Sequence, residues 1–271
     1  MARPVAFLSD FGLDDEFVGV CDAVVARISP SSRMIDITHG IAPQDVLRGA
    51  LVLANAAPFL PEDVVVLAVV DPGVGSERRP VAIRTGSGAF MVGPDNGLLG
   101  LASDRLGGVT EAVVIESPDV ILQPTSATFH GRDVFAPAAA HLAAGMPLDR
   151  LGPTVEPPSL ARLAPPGVRT ADGLLSCTVI GVDRFGNAQL SAAADDLRRA
   201  GLAGEPLLSV GSPSDRSALR MVRTFADVAT GEAALVVDSS GWLTICVNRG
   251  SAARAFGLSP GSAVELRPAR G

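Results

Sequence analysis

Residues 64–80 read VVVLAVVDPGVGSERRP, and the fold follows from the way the first half of this stretch breaks into the second. Seven consecutive apolar residues, Val64 to Val70, most of them β-branched, are too few for a solitary helix and predict a strand buried on both faces. The run stops at Asp71, and Pro72-Gly73-Val74-Gly75 turns the chain at once. An acid therefore stands at the carboxyl end of a central strand, beside backbone that can approach a ligand closely, at the edge where open α/β sheets bind. Arg78 and Arg79 follow within reach, so that a guanidinium can fold back on the Asp71 carboxylate in a planar, two-point pair.

Outward from this strand, Val5 to Leu8 form an earlier one that ends in Ser9-Asp10-Phe11-Gly12. Phe17, Val20, Cys21, Val24, Val25 and Ile28 then recur at helical spacing up to Pro30. Met34 to Ile37 make another strand, leading to Thr38-His39, and Pro43 is placed to open a helix that runs to about Ala56. Beyond the Asp71 turn, Val81 to Arg84 and Ala89 to Val92 read as a strand pair closed by Pro94-Asp95-Asn96-Gly97, and Ala112 to Ile115 as a further strand. Thr128-Phe129-His130-Gly131-Arg132-Asp133 runs into an alanine-rich helix, Val134 to Ala144, with Asp133 as its predicted cap.

This alternation predicts an α/β domain over residues 1–150 with a mainly parallel, doubly wound sheet. Residues 151–172 are rich in Pro and Gly and read as a linker. Over 173–271 short strands recur between turn signals: Leu175 to Val182, Ala188 to Leu190, Leu207 to Val210, Ala234 to Val237, Leu243 to Val247 and Ala263 to Leu266. That pattern predicts a smaller antiparallel β-barrel domain.

Composition narrows the chemistry. The chain of 271 residues is 47% hydrophobic and 19% charged, enough for sizeable cores. A net charge of -7 without a basic cluster argues against nucleic acid as a partner. All 22 basic residues are Arg, which removes P-loop lysine and Schiff-base chemistry, and no Tyr is present to act as acid or nucleophile. Cys21, Cys177 and Cys246 are far apart in apolar surroundings and read as core thiols of a reducing compartment. No apolar run has the length of a membrane span and MARPVAFLSD does not resemble a signal peptide, so the expectation is a cytoplasmic protein without membrane partners.

Three polar sets remain. Asp10, Asp71, Arg78 and His130 each fall at a strand end or helix start; singly they suit turns and caps, but together they suit one sheet edge. Asp183-Arg184-Phe185-Gly186-Asn187 and Asp238-Ser239-Ser240-Gly241 have hairpin-turn composition. His39, His130 and His141 lack metal-ligand spacing, so no metal is expected. Neither GxSxG nor a GxGxxG after the first strand is present.

SDFG at 9–12, DITHGIAPQD at 36–45, VVDPGVGSERRP at 69–80, GPDNGLL at 93–99, TFHGRDVFAP at 128–137, DRFGN at 183–187 and NRGSAA at 248–253 together resemble one family. It is the S-adenosyl-L-methionine (SAM) hydroxide adenosyltransferases, or SAM hydrolases, relatives of the fluorinases and chlorinases. The resemblance implies a homotrimer with active sites formed between the N-terminal domain of one subunit and the C-terminal domain of the next. It implies attack of water or hydroxide on C5′ of SAM, giving adenosine and L-methionine with no cofactor. Asp71, Arg78 and His130 match the water-handling triad. Asp10 matches the residue that holds the ribose hydroxyls, Asn187 the one that reads adenine, and Asp183 with Ser239 those that hold the amino-acid end. Val247, Asn248 and Arg249 match backbone that contacts adenine.

The chain departs from the halogenating relatives where they hold the halide. Asp71 and Val74 replace their aromatic and threonine, His130-Gly131 replaces their Tyr-Ser pair, and Ser240 replaces their substrate-binding arginine. A carboxylate at position 71 repels a halide, which favours hydrolysis over halogenation. The reaction needs no general acid, because a sulfonium leaves as a neutral thioether; it needs a water placed in line and relieved of a proton. A guanidinium beside Asp71 suits a rigid holder better than a strong base. The alternatives are a nucleoside-binding sensor without useful turnover, and a halogenase.

Overall fold

The computed structural model describes residues 2–205, 208–212 and 215–269, and its contacts divide the chain into two compact units, residues 1–163 and 164–271. In the first unit the elements are β1 (Val5–Ser9), α1 (Phe17–Ile28), β2 (Met34–Thr38), α2 (Val46–Ala56), β3 (Val65–Val69), β4 (Pro80–Thr85), β5 (Phe90–Pro94), α3 (Gly100–Arg105), β6 (Val109–Val114) and α4 (Ala136–Ala143). The strands order β2-β1-β3-β5-β4-β6, with β2, β1, β3 and β5 parallel and β4 antiparallel to both β5 and β6.

The unbroken apolar run of β3 serves two cores. Val65, Leu67 and Val69 pack with α1 and α4 on one face, while Val64, Val66, Ala68 and Val70 pack with α2 and α3 on the other. Helices on both faces leave neither side of β3 for water, which is why no polar residue alternates there. The alanines of α4 are at most 1% exposed, small side chains that let the helix lie close on the sheet.

The second unit contains β7 (Arg169–Ala171), β8 (Leu174–Val182), β9 (Ala188–Ala193), α5 (Ala194–Arg199), β10 (Leu208–Ser212), β11 (Asp215–Met221), β12 (Ala233–Val237), β13 (Trp242–Val247), α6 (Ala252–Ala255) and β14 (Ala263–Pro268). Among the described residues β8, β9, β13, β12, β11, β10 and β14 pair in that order and close back on β8, with β7 added beside β8. The barrel is antiparallel except for β11 and β12, which pair in parallel over Arg220↔Ala234 and Met221↔Leu235.

Several boundaries differ from those the sequence predicts. The helix expected to open at Pro43 starts at Val46: Gln44 takes φ 67° and the Asp45 side chain accepts from the Arg48 N–H at 2.9 Å, so the cap wins over the proline. Asp133 caps nothing, because a π-helical turn already spans Gly131–Phe135 ahead of α4. Residues 153–155 run beside β6, with backbone bonds from Val114 to Pro153 and from Val155 to Ala112. Leu207, where the sequence starts a strand, lies outside the described residues.

Candidate active site

The topology of the first unit brings its chemistry to one edge. β1 and β3 are parallel neighbours with Ser9 opposite Val69, so Asp10 and Asp71 both follow carboxyl ends at the same side of the sheet. Because β4 runs antiparallel, it begins where β5 ends, with Pro80 opposite Pro94. The loop 71–79 therefore leaves and re-enters the sheet at that edge, and Arg78 stays beside Asp71.

The Arg78 Nε–H donates to Asp71 Oδ1 at 2.9 Å and Oδ2 at 3.1 Å, and Nη2 also donates to Oδ2. The same Nη2 donates to His130 Nδ1 at 2.8 Å. The side chains of Arg78 and Asp71 are 10% and 6% exposed, so the pair is largely withdrawn from water. Arg78 also lies over the Phe135 ring, 5.1 Å from its centroid. A guanidinium can only donate, so Nδ1 of His130 accepts and the proton of the neutral ring sits on Nε2. Burial lowers the His130 pKa and the Arg78 charge lowers it further, while Asp71 and Asp133 act in the opposite sense.

The segment before His130 is held by Asp133. Its Oδ2 accepts from the Ser126 N–H at 2.8 Å, its carbonyl accepts from the Leu122 N–H at 2.8 Å, and Arg132 Nε donates to Oδ1 at 2.6 Å. Burial alone would raise the Asp133 carboxyl; the Arg132 and Ser126 bonds outweigh it and hold the pKa below the ordinary carboxylate value. Phe11, Phe17 and Phe129 form a cluster with centroids 5.2–6.0 Å apart, and a Cβ on Gly131 would come within 2.9 Å of the Phe11 ring. On the other side, Gly75 has φ +77° and a Cβ there would lie 2.5 Å from the Ala127 carbonyl oxygen. Gly75→Ala must push the Asp71–Arg79 loop off the segment that leads to His130. We expect a loss of about 1–3 kcal/mol in thermal unfolding together with a reduced kcat. Unchanged melting and turnover would show that the loop is not seated there.

Asp10 stands at the same edge, with Oδ2 accepting from the Gln44 N–H at 2.8 Å. In the second unit the Asp183 carboxylate is absorbed by its own turn: Oδ1 accepts from the Phe185 and Asn187 N–H groups, each at 2.9 Å, and Oδ2 from Asn187 Nδ2 at 2.7 Å. A Cβ on Gly186 would lie 2.1 Å from Ser251 Oγ, and the Ala253 N–H bonds the Gly186 carbonyl, so this turn packs on the segment after Val247. Arg249 takes φ 56°, and Asn248 Nδ2 donates to the Val228 carbonyl at 2.8 Å, which anchors the 247–250 turn.

Ser239 and Ser240 lie in the turn at the other end of β13, where Asp238 Oδ1 accepts from the Ser240 and Trp242 N–H groups at 2.8 and 3.0 Å. β13 has six residues, a rise of about 20 Å. The β8–β9 turn closes at the far end of β13, so Asp183 lies with Asn187 and Val247–Arg249 at one end of that strand and Ser239 at the other.

Burial pushes Cys21 and Cys177 up to about 12 and raises Cys246, so none of the three is a reactive thiolate. Among the described residues no group of three or more His, Cys, Asp or Glu is placed to hold a metal ion. Sequence reasoning missed Phe135 under Arg78 and the Gln44 backbone at Asp10; neither has a signal in residue type.

Family models for the SAM hydroxide adenosyltransferase N-terminal domain and C-terminal domain match residues 5–152 and 177–265. The chain is similar to an (R)-S-adenosyl-L-methionine hydrolase of Salinispora tropica, 49% identical over 97% of each chain. A fluorinase of Actinopolyspora mzabensis is 31% identical over 98% of this chain and 97% of that one. A crystal structure of an uncharacterized conserved protein from Thermotoga maritima superposes with a TM-score of 0.90 at 35% identity, covering 97% of this chain and 99% of the other. With both family domains matched in order and near-full-length identity of this size, the chain belongs to the SAM hydroxide adenosyltransferase family.

Proposed function

We propose that the protein hydrolyses S-adenosyl-L-methionine at C5′, with the attacking water held by Asp71, Arg78 and His130. The observation that carries this reading is the convergence of Asp71 and His130 on the Arg78 guanidinium, from positions 7 and 52 residues away. The water oxygen attacks C5′ as the C5′–S bond breaks, and that electron pair neutralises the sulfonium. One water proton is released, and the products are adenosine and L-methionine. His130, with its proton on Nε2, donates to the water oxygen and aims it. Asp71 accepts a water hydrogen, and Arg78 locks both partners in register. Removal of the proton accompanies or follows C–O bond formation, since both Asp71 oxygens already accept from the Arg78 guanidinium.

Asp10 takes the ribose hydroxyls through the oxygen that Gln44 leaves open. Asn187, with Nδ2 given to Asp183, accepts from the adenine amine through Oδ1, next to the 247–249 backbone. Asp183 takes the ammonium of the amino-acid end, with Ser239 and Ser240 at its carboxylate. A cytoplasmic homotrimer completes the proposal, and light scattering on the purified protein tests the assembly. Among the described residues no helix is long and apolar enough to cross a membrane.

The test is incubation of purified protein with SAM and chromatography for adenosine and methionine, with Asp71→Ala as control. Adenosine no higher than the control overturns the proposal, and adenosine binding without product would indicate a sensor. With added chloride or fluoride no 5′-halogenated nucleoside is expected.

The pH profile tests the role of His130. Because its pKa is lowered, the ring is neutral at pH 7, and charging it removes the acceptor for Arg78. Activity is expected to be flat above pH 6.5, the ordinary histidine value being about 6.5, and to fall only below it. The unfolded ring takes up its proton first as pH falls, so stability also declines below about 6.5 and is complete above it. An acid limb centred above 7 would contradict the assignment.

A further inference from the structure

Ser9 and His39 lie beneath the edge that carries Asp10, 0% and 5% exposed, and take no part in the chemistry above. Ser9 Oγ is 2.8 Å from His39 Nδ1, and the Phe11 N–H donates to the same Oγ at 3.3 Å. His39 Nε2 is 3.4 Å from Asp36 Oδ1, and the His39 carbonyl accepts from the Gly12 N–H at 2.8 Å. The imidazole stands edge-on to Phe7, with centroids 4.7 Å apart. In the tautomer with its proton on Nε2 the bonds run one way, from the Phe11 N–H to Ser9, from the Ser9 hydroxyl to His39, and from His39 to Asp36. A serine, histidine and aspartate in this order suggest nucleophilic catalysis, but Ser9 is sealed from any substrate. Its burial leaves a structural task.

That task is visible in what the chain of bonds ties together. It joins the end of β2 to residues 9–12, on both sides of Asp10, while Gln44 from the same β2–α2 connection fixes the Asp10 carboxylate. Phe11, held through its N–H, packs on Phe129 and against Gly131, the neighbours of His130. We infer that His39, acting through Ser9, is a positioning residue that sets Asp10 for the ribose diol and so governs selectivity for a nucleoside with both hydroxyls. The inference rests on the proposed role of Asp10 as the ribose-holding residue.

Adenosine and 2′,3′-dideoxyadenosine, titrated by calorimetry into wild type and variants, separate this from general damage. Ser9→Ala removes one hydroxyl and little else. It is expected to weaken adenosine about tenfold, the value of a neutral buried hydrogen bond or slightly more, while leaving the dideoxy compound within about twofold. His39→Ala should narrow the preference similarly, and combining it with Ser9→Ala should add little, because the two act as one unit. His39→Asn supplies an oxygen near the Nδ1 position and should restore most of the preference. Asp22 on α1 is near His39 and Asp36, and burial followed by the Asp36 charge raises its pKa, so His39→Ala carries a risk of misfolding that Ser9→Ala does not. Equal weakening of both nucleosides in Ser9→Ala, or no change in either, overturns the inference. A wild type that binds both nucleosides equally tightly refutes the ribose role of Asp10 itself, and the inference with it.

Discussion

Asp71→Asn lowers the rate of adenosine formation by about a thousandfold, within the range for loss of a positioned proton acceptor. The side chain keeps its shape, but its Nδ2 turns a donor toward a guanidinium that has only donors. Arg78 loses one of the two oxygens that orient it. His130 then loses a steadied partner at Nδ1, and the attacking water loses its acceptor. Because the reacting geometry and not binding is affected, kcat should fall while KM for SAM changes little. Far-ultraviolet circular dichroism should match wild type. A rate within about threefold of wild type would show that Asp71 does not handle the water.

Arg78→Met has the second large effect, and it falls on stability as well as rate. The methionine fills much of the same space over Phe135, yet it leaves the Asp71 carboxylate, 6% exposed, without its cation. Removing one partner of a buried pair costs about 3–5 kcal/mol, which for a unit of this size lowers the melting temperature by about 6–20 °C. Hydrolysis should be lost with it. Adding Asp71→Asn to Arg78→Met removes the stranded charge and should recover most of the melting temperature without recovering activity. That split is the signature of a pair kept for function. A single variant that melts like wild type would show that the pair is open to water.

Asp71 and Arg78 were legible because only six residues, a Pro-Gly turn among them, separate the two, and because an unbroken β-branched run announces a strand buried on both faces. The doubly wound sheet and the barrel followed from the same local signals. β7 and β11 were not legible: RTA and DRSALRM are short or polar, and pairing with neighbours in the barrel makes them strands. α3 has only six residues, beginning at Gly100, and no apolar stripe to mark it. At α2 two start signals competed, and the side-chain oxygen of Asp45 outweighed the fixed φ of Pro43. His130 could be proposed from its motif, but its tautomer depends on where Arg78 points, which is tertiary. That the Asp183 turn lies at the Val247 end of β13 was not legible either, because register, not residue type, decides which end of a strand a turn occupies.

Hydrolysis at this site requires a water to reach C5′. Single-turnover hydrolysis of SAM in water enriched in oxygen-18, read by mass spectrometry, should place the label in the 5′-hydroxyl of adenosine and none in methionine. Unlabelled adenosine, or methylthioadenosine as the nucleoside product, would contradict it.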